Sequence, residues 1–278
     1  MSRLSKHSLS FSICLLAAGI AHADILQNVL AAKLLRCGVY ADVPPFAAPD
    51  PVSRNLVGMD VDLCSAVAAQ LGVSVQLVPL SIESRIPELQ MGRIDILIAN
   101  LAYTRRRAAQ IDYSYSYYVA REEVVVHAPD SALTPADFRG QRMSAAKGST
   151  SELSIRVNDG VPVTYQDSGA AYLALQQHKV RAFVTNSMTA HQVIARAATT
   201  GVRLSLLQPP LALEPVAIGI RKGESLLVAK MNDILVQMDR DGQIDQIWNR
   251  WLGPATAYKM PRPDRVTDIA KLRFQPLP

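Results

Sequence analysis

Cysteine is scarce in these 278 residues: Cys14, Cys37 and Cys64 are the full set. Neither Cys37 nor Cys64 has a histidine partner nearby in sequence, and no metal-ligand spacing occurs, so no metal or other cofactor is implied. Charge is sparse too, at 19% of residues with a formal net of +5. So small and evenly spread a charge argues against a nucleic-acid partner. Beyond the N-terminal segment no apolar run reaches the ~20 residues that span a bilayer. Low-complexity tracts and short repeats are also missing. What remains is a globular chain, 49% hydrophobic, long enough for one or two domains with a sizeable core.

Residues 1–23 have the three parts of a secretory signal. Arg3 and Lys6 make a positive start, Leu9 to Ile20 an apolar stretch, and Ala21-His22-Ala23 a small-residue cleavage site. The apolar stretch is short for a membrane anchor, and Cys14 lies too early in it for a lipoprotein. Cleavage would start the mature chain at Asp24 and lower the net charge to about +3. An exported, periplasmic and soluble product is expected. Export permits a disulfide between Cys37 and Cys64. Two buried free thiols fit the sequence as well.

Hydrophobic patterning then gives two α/β units. Leu34 to Val39 reads as a strand. A helix opens at Gly58-Met59-Asp60, with acids in its first turn where the helix dipole favours them. Val73–Val78 is a strand, Ile86-Pro87-Glu88-Leu89 a helix and Ile94–Ala99 a strand, the alternation of a parallel sheet covered by helices. The pattern restarts with strands at Val124–Val126, Gln141–Ala145, Val180–Val184 and Val216–Ile220. Helices are expected after Ser149, over Ala170–Gln177, over Leu226–Met238 and over Ile244–Leu252. The proline-rich tail, 254–278, reads as extended rather than packed.

Taken in order, these stretches resemble the periplasmic solute-binding proteins of polar amino-acid ABC importers, a bacterial family with the type II fold. The resemblance runs through Leu35–Val39 with Pro44-Pro45-Phe46, Gly58–Leu63, Ile86–Leu89 with Gly92–Asp95, and Thr104–Arg107 with Ile111–Ser114. It continues in Phe138-Arg139-Gly140, Gly148-Ser149-Thr150 and Met238–Gly242, to Trp251-Leu252. It implies an α/β protein of two lobes, each a mostly parallel sheet flanked by helices, joined by a two-segment hinge. By analogy lobe one is 24–120 with 215–253, and lobe two is 121–214. The implied role is capture of a small carboxylate-bearing solute between the lobes by a monomer that delivers it to an inner-membrane ABC permease.

Among Arg105, Arg106 and Arg107, only the last matches a ligand position. Thr104 is a good N-cap, which puts Arg107 in the first helical turn. Positive charge there opposes the helix dipole at a cost of a few tenths of a kcal/mol unless an anion is bound. A carboxylate would meet the free N–H groups and a guanidinium fork together. The resemblance gives this role to Arg107, helped by Thr104, Asn100 and backbone at Ala102, with Ser149 and Thr150 facing it from lobe two. Two departures follow. Where the family pairs an aspartate with the ligand's ammonium, this chain has Asn186, and the acid five residues earlier is Arg181. Val43 and Ile82 replace aromatic walls, and Tyr40 stands where relatives carry an acid. The pocket is therefore expected to be neutral to basic, and its solute need not carry an ammonium.

Two other functions share the sequence features. A dehydratase-type enzyme of this fold needs a positioned acid; Asn186 cannot serve, and Glu83, Glu152 or Tyr40 would have to. A sensor module that presents ligand to a receptor would have the same cleft.

Overall fold

The computed structural model describes residues 24–262 and 264–278, so the signal assigned to 1–23 lies outside the described residues. In chain order the elements begin α1 (Ile25–Ala32), β1 (Leu34–Tyr40), β2 (Ala48–Pro49), β3 (Leu56–Val57), α2 (Met59–Leu71), β4 (Ser74–Leu80) and α3 (Arg85–Gln90). They continue β5 (Ile96–Leu97), α4 (Arg105–Gln110), β6 (Ile111–His127), β7 (Arg142–Ala146), α5 (Thr150–Val157) and β8 (Val161–Tyr165). The last are α6 (Ser168–Gln176), β9 (Ala182–Asn186), α7 (Ser187–Thr199), β10 (Leu204–Arg221), α8 (Ser225–Arg240) and α9 (Gln243–Trp251).

One eight-stranded sheet, ordered β4-β1-β5-β10-β6-β9-β7-β8, runs through two lobes. The outer trios are parallel, and β6 and β10 run antiparallel to each other between them. β10 pairs with β5 at one end, and β6 pairs with β9 at the other. Sequence patterning marks only one end of each of these strands, yet they are 17 and 18 residues long. Their ladder breaks register between Leu207 and Ala212, where Pro209 and Pro210 cannot donate to it.

The larger hydrophobic cluster gathers α1, β1, α2, α8, α9 and the near ends of β6 and β10, with Met188 from α7. The other lobe buries both faces of its sheet. Val124, Val126 and Val184 point into one cluster, while Val125 and Phe183 point into a second. That division follows the two-residue period of a strand. Gly58, the residue before α2, has φ +150, and a Cβ there would lie 2.1 Å from the Phe46 carbonyl oxygen. No larger residue fits this start of α2 without moving the backbone.

Two expectations are resolved or corrected. Cys37 on β1 and Cys64 on α2 form a disulfide, and both are fully buried. The tail is extended but it is packed. Thr267 pairs with Ser116 of β6, and Leu277 lies beside Thr104. The Arg262 side chain is 3% exposed and bonds Asp239 at 2.5 Å and Asp245 at 3.0 Å. The Trp248 indole N–H donates to the Met260 carbonyl. Proline keeps the tail from forming longer helix than the short turn at Ile269–Lys271 but leaves side chains and carbonyls free to dock, which the composition of the tail does not reveal.

Candidate functional site

The cleft between the lobes narrows to an inner cavity of about 30 Å³. That is room for roughly one water, so a larger solute requires the lobes to part. Tyr40, Val43, Ile82, Asn100 and Arg107 line it from one lobe, and Ser149, Thr150 and Asn186 from the other. The cleft continues outward into about 600 Å³ that shares Ile82, Arg107, Ser149 and Thr150 and adds Thr104, Glu83 and Gly148. Ala102 lines neither space. Its carbonyl accepts bonds from the Arg107 guanidinium at 3.0 Å and the Tyr113 hydroxyl at 3.2 Å, so it positions Arg107 from behind.

Arg107 sits in the first turn of α4 because Thr104 caps that helix. The Thr104 hydroxyl accepts the Arg107 N–H at 3.1 Å. Its guanidinium also donates across the cleft to the Gly148 carbonyl at 3.2 Å. Gly148 has φ +72, a turn glycine preceding the Ser149 cap of α5. Beside this contact the Lys147 ammonium meets the Glu83 carboxylate at 3.0 Å, again between lobes. The lobes are thus closed on each other.

Some of the expected N–H groups are taken: Arg105 N–H donates to the Leu277 carbonyl, and Gly148 N–H donates to the Glu152 carboxylate. The N–H groups of Thr150 and Ser151, in the first turn of α5, remain for a carboxylate. Asn186 caps α7, with its side-chain oxygen accepting the Thr189 N–H at 3.1 Å. Asn100 N–H donates to buried Asp60, and its side-chain oxygen accepts from the Tyr118 hydroxyl. Burial pushes the Asp60 carboxyl up to about 8, against the bond from Asn100 and the charge of Arg85.

Sequence reasoning missed five lining residues: Arg85, Glu122, Ser151, Ser168 and Thr185. Arg85 is 3% exposed and donates to the Tyr40 hydroxyl and the Ala99 carbonyl, stacking over the Tyr40 ring. Burial lowers its pKa, yet a guanidinium remains charged. Its place beside Ile82, at the first position of a helix, was the available signal. Glu122 adds a carboxyl group to a cavity wall that also carries Arg85 and Arg107. Its signal was its position at the expected lobe boundary.

A model of the bacterial extracellular solute-binding proteins, family 3, matches residues 35–254. This chain belongs to that family. Among family relatives, the glutamine-binding protein GlnH of Bacillus subtilis is 27% identical, covering 87% of this chain and 93% of its own. An ancestral arginine-binding protein solved with arginine is 33% identical with TM-score 0.72, covering 80% of this chain and 98% of its own. An ancestral amino acid-binding protein described as a precursor of cyclohexadienyl dehydratase gives TM-score 0.73 at 28% identity, covering 82% and 99%. Family 3 proteins are extracellular solute-binding proteins. Among the described residues no helix is long and apolar enough to cross a membrane.

Within the family 3 frame, the acids suggested for an enzyme are engaged elsewhere. Glu83 pairs with Lys147. Glu152 holds Arg156 and the Gly148 N–H. Burial raises the Tyr40 hydroxyl pKa, which makes it a poorer proton donor.

Proposed function

We propose that this chain captures a small carboxylate-bearing solute, an amino acid or a related organic acid, and delivers it to an inner-membrane ABC permease. The observation that carries the reading is Arg107, which reaches from α4 across a closed cleft to satisfy itself on two carbonyls. Carbonyls are weak partners for a guanidinium, and a bidentate carboxylate is a stronger one. Arg85 adds a buried cation beside the half-buried Arg107. Thr104 and Ala102 orient Arg107, while Asn100, Tyr40, Val43 and Ile82 shape one wall, and Ser149, Thr150 and Asn186 the other. Residues 24–120 with 215–253 and residues 121–214 act as the lobes, and closure works because bound solute adds contacts to both. Calorimetry against L-glutamine, L-arginine, L-cystine and their 2-oxo and 2-hydroxy counterparts tests this. Tight binding of at least one carboxylate, abolished in Arg107→Ala, is expected; binding that survives Arg107→Ala overturns it.

A periplasmic enzyme of dehydratase type is the second reading. Glu122 favours it, as a buried carboxyl whose pKa is raised chiefly by desolvation, the property a general acid needs. Turnover of prephenate by the purified protein would establish it, and its absence across pH 5 to 8 would remove it.

A further inference from the structure

Glu122 of β6 and Glu214 of β10 meet where the two hinge strands cross between the lobes. In the antiparallel ladder Glu122 pairs with Ala212, and Glu214 with Ala120. That diagonal places both carboxyls on one face of the pair. They are 1% and 2% exposed. The Thr150 hydroxyl, from the first turn of α5, lies 3.1 Å from one Glu122 oxygen and 3.0 Å from one Glu214 oxygen. A hydroxyl has one proton and can serve only one of them. The other oxygens, Glu122 Oε2 and Glu214 Oε1, are buried with no donor other than a proton the two carboxyls share. A buried acceptor without a donor is costly.

Glu122 belongs to the cavity wall that also contains Arg107 and Asn186. Asn186 has its side-chain oxygen committed to the α7 cap. The cavity thus has guanidinium donors for a carboxylate and one carboxyl acceptor met only by a proton shared with Glu214, which is the complement of a zwitterion. We propose that Glu122, backed by Glu214, is the ammonium acceptor of this site, so that the solute is an α-amino acid whose positive charge is read on the hinge strands and not on β9. The inference rests on the carboxylate-capture reading above.

A proton balance follows. Two carboxyls in contact and out of water do not both ionise: desolvation raises both, and the charge of Glu122 raises Glu214 further. The empty pair holds about one proton. Arg107 from α4 opposes this, and Tyr40 from β1, Tyr113 and Tyr118 from β6, and the neighbouring Glu123 complete the ionisable surroundings. An incoming ammonium donates to Glu122 in place of that proton, which leaves to solvent.

The test is calorimetry of the mature protein with the protein L-amino acids and, for each that binds, its desamino counterpart. The wild type should prefer the amino acid at least tenfold. Glu122→Gln should weaken the amino acid at least tenfold and the desamino acid less than threefold. Titration in buffers of different ionisation enthalpy should show up to one proton released by the wild type and none by Glu122→Gln. Glu214→Gln provides an independent check should Glu122→Gln fold poorly: it should retain the amino-acid preference and lose proton release. Unchanged preference in Glu122→Gln, or a wild type that binds desamino acids alone, overturns the assignment while carboxylate capture stands. Binding of neither class overturns both.

Discussion

On the lobe-one wall of the cleft, charged side chains are fixed by hydrogen bonds: Arg85 to Tyr40 and Ala99, and Arg107 to Ala102. The lobe-two wall contributes three helix starts instead, with Ser149 capping α5, Ser168 opening α6 and Asn186 capping α7. One wall presents whole charges on immobilised side chains. The other presents hydroxyls, an amide and the partial positive ends of helix dipoles, with Glu122 of the hinge strand beside them. The first kind discriminates between ligands, because a misplaced charge is expensive in a dry cleft. The second kind closes over many solutes at modest individual cost, which suits the lobe that swings.

The sharpest way to break this contrast is at Arg107. Arg107→Ala should weaken solute binding by at least ~100-fold, about 3 kcal/mol, while Ser149→Ala costs less than tenfold; equal losses in calorimetry would erase the difference between the walls. Next comes the disulfide, which braces lobe one alone. Converting Cys37 and Cys64 to serine should remove about 3 kcal/mol of unfolding free energy on the chain-entropy model, read by denaturant melts. A smaller effect is expected from Asp60. Its folded pKa of about 8 lies above the unfolded value, so the folded chain keeps a proton that the unfolded chain releases. This contribution is complete at low pH, and stability falls as pH rises from about 4 to about 8. Asp60→Asn should flatten that slope and gain at least about 1 kcal/mol over the wild type at pH 8. The smallest change belongs to Lys147→Ala. Its bond to Glu83 is largely exposed, and such pairs contribute about 0–1 kcal/mol, so binding should shift less than fivefold.

Local features were legible in the sequence. The β1–α2–β4 alternation, the Thr104 cap and the Ser149 cap are each encoded within a few residues, by period or by a side chain bonding its own helix. Glu122 and Glu214 were not legible as a pair. Each looks like an ordinary surface acid in Arg121-Glu122-Glu123 and Leu213-Glu214-Pro215, and only the crossing of two distant strands brings them together. Arg85 is hidden for a similar reason, since its burial depends on Tyr40 and Ala99 from other strands. The segment that becomes α7, Ser187–Thr199, carries no clear assignment: its β-branched and polar residues weaken the helical signal, and packing decides it.

The family's shared stretch stops at residue 254, yet Arg262, eight positions further, fills a slot between Asp239 and Asp245 and is more deeply enclosed than either. Cutting the chain at the shared boundary would strip the counterion from two acids on α8 and α9 and uncover the indole edge of Trp248. The last two dozen residues lie outside that shared stretch, yet they close over α8 and α9 and belong to the folded unit of lobe one.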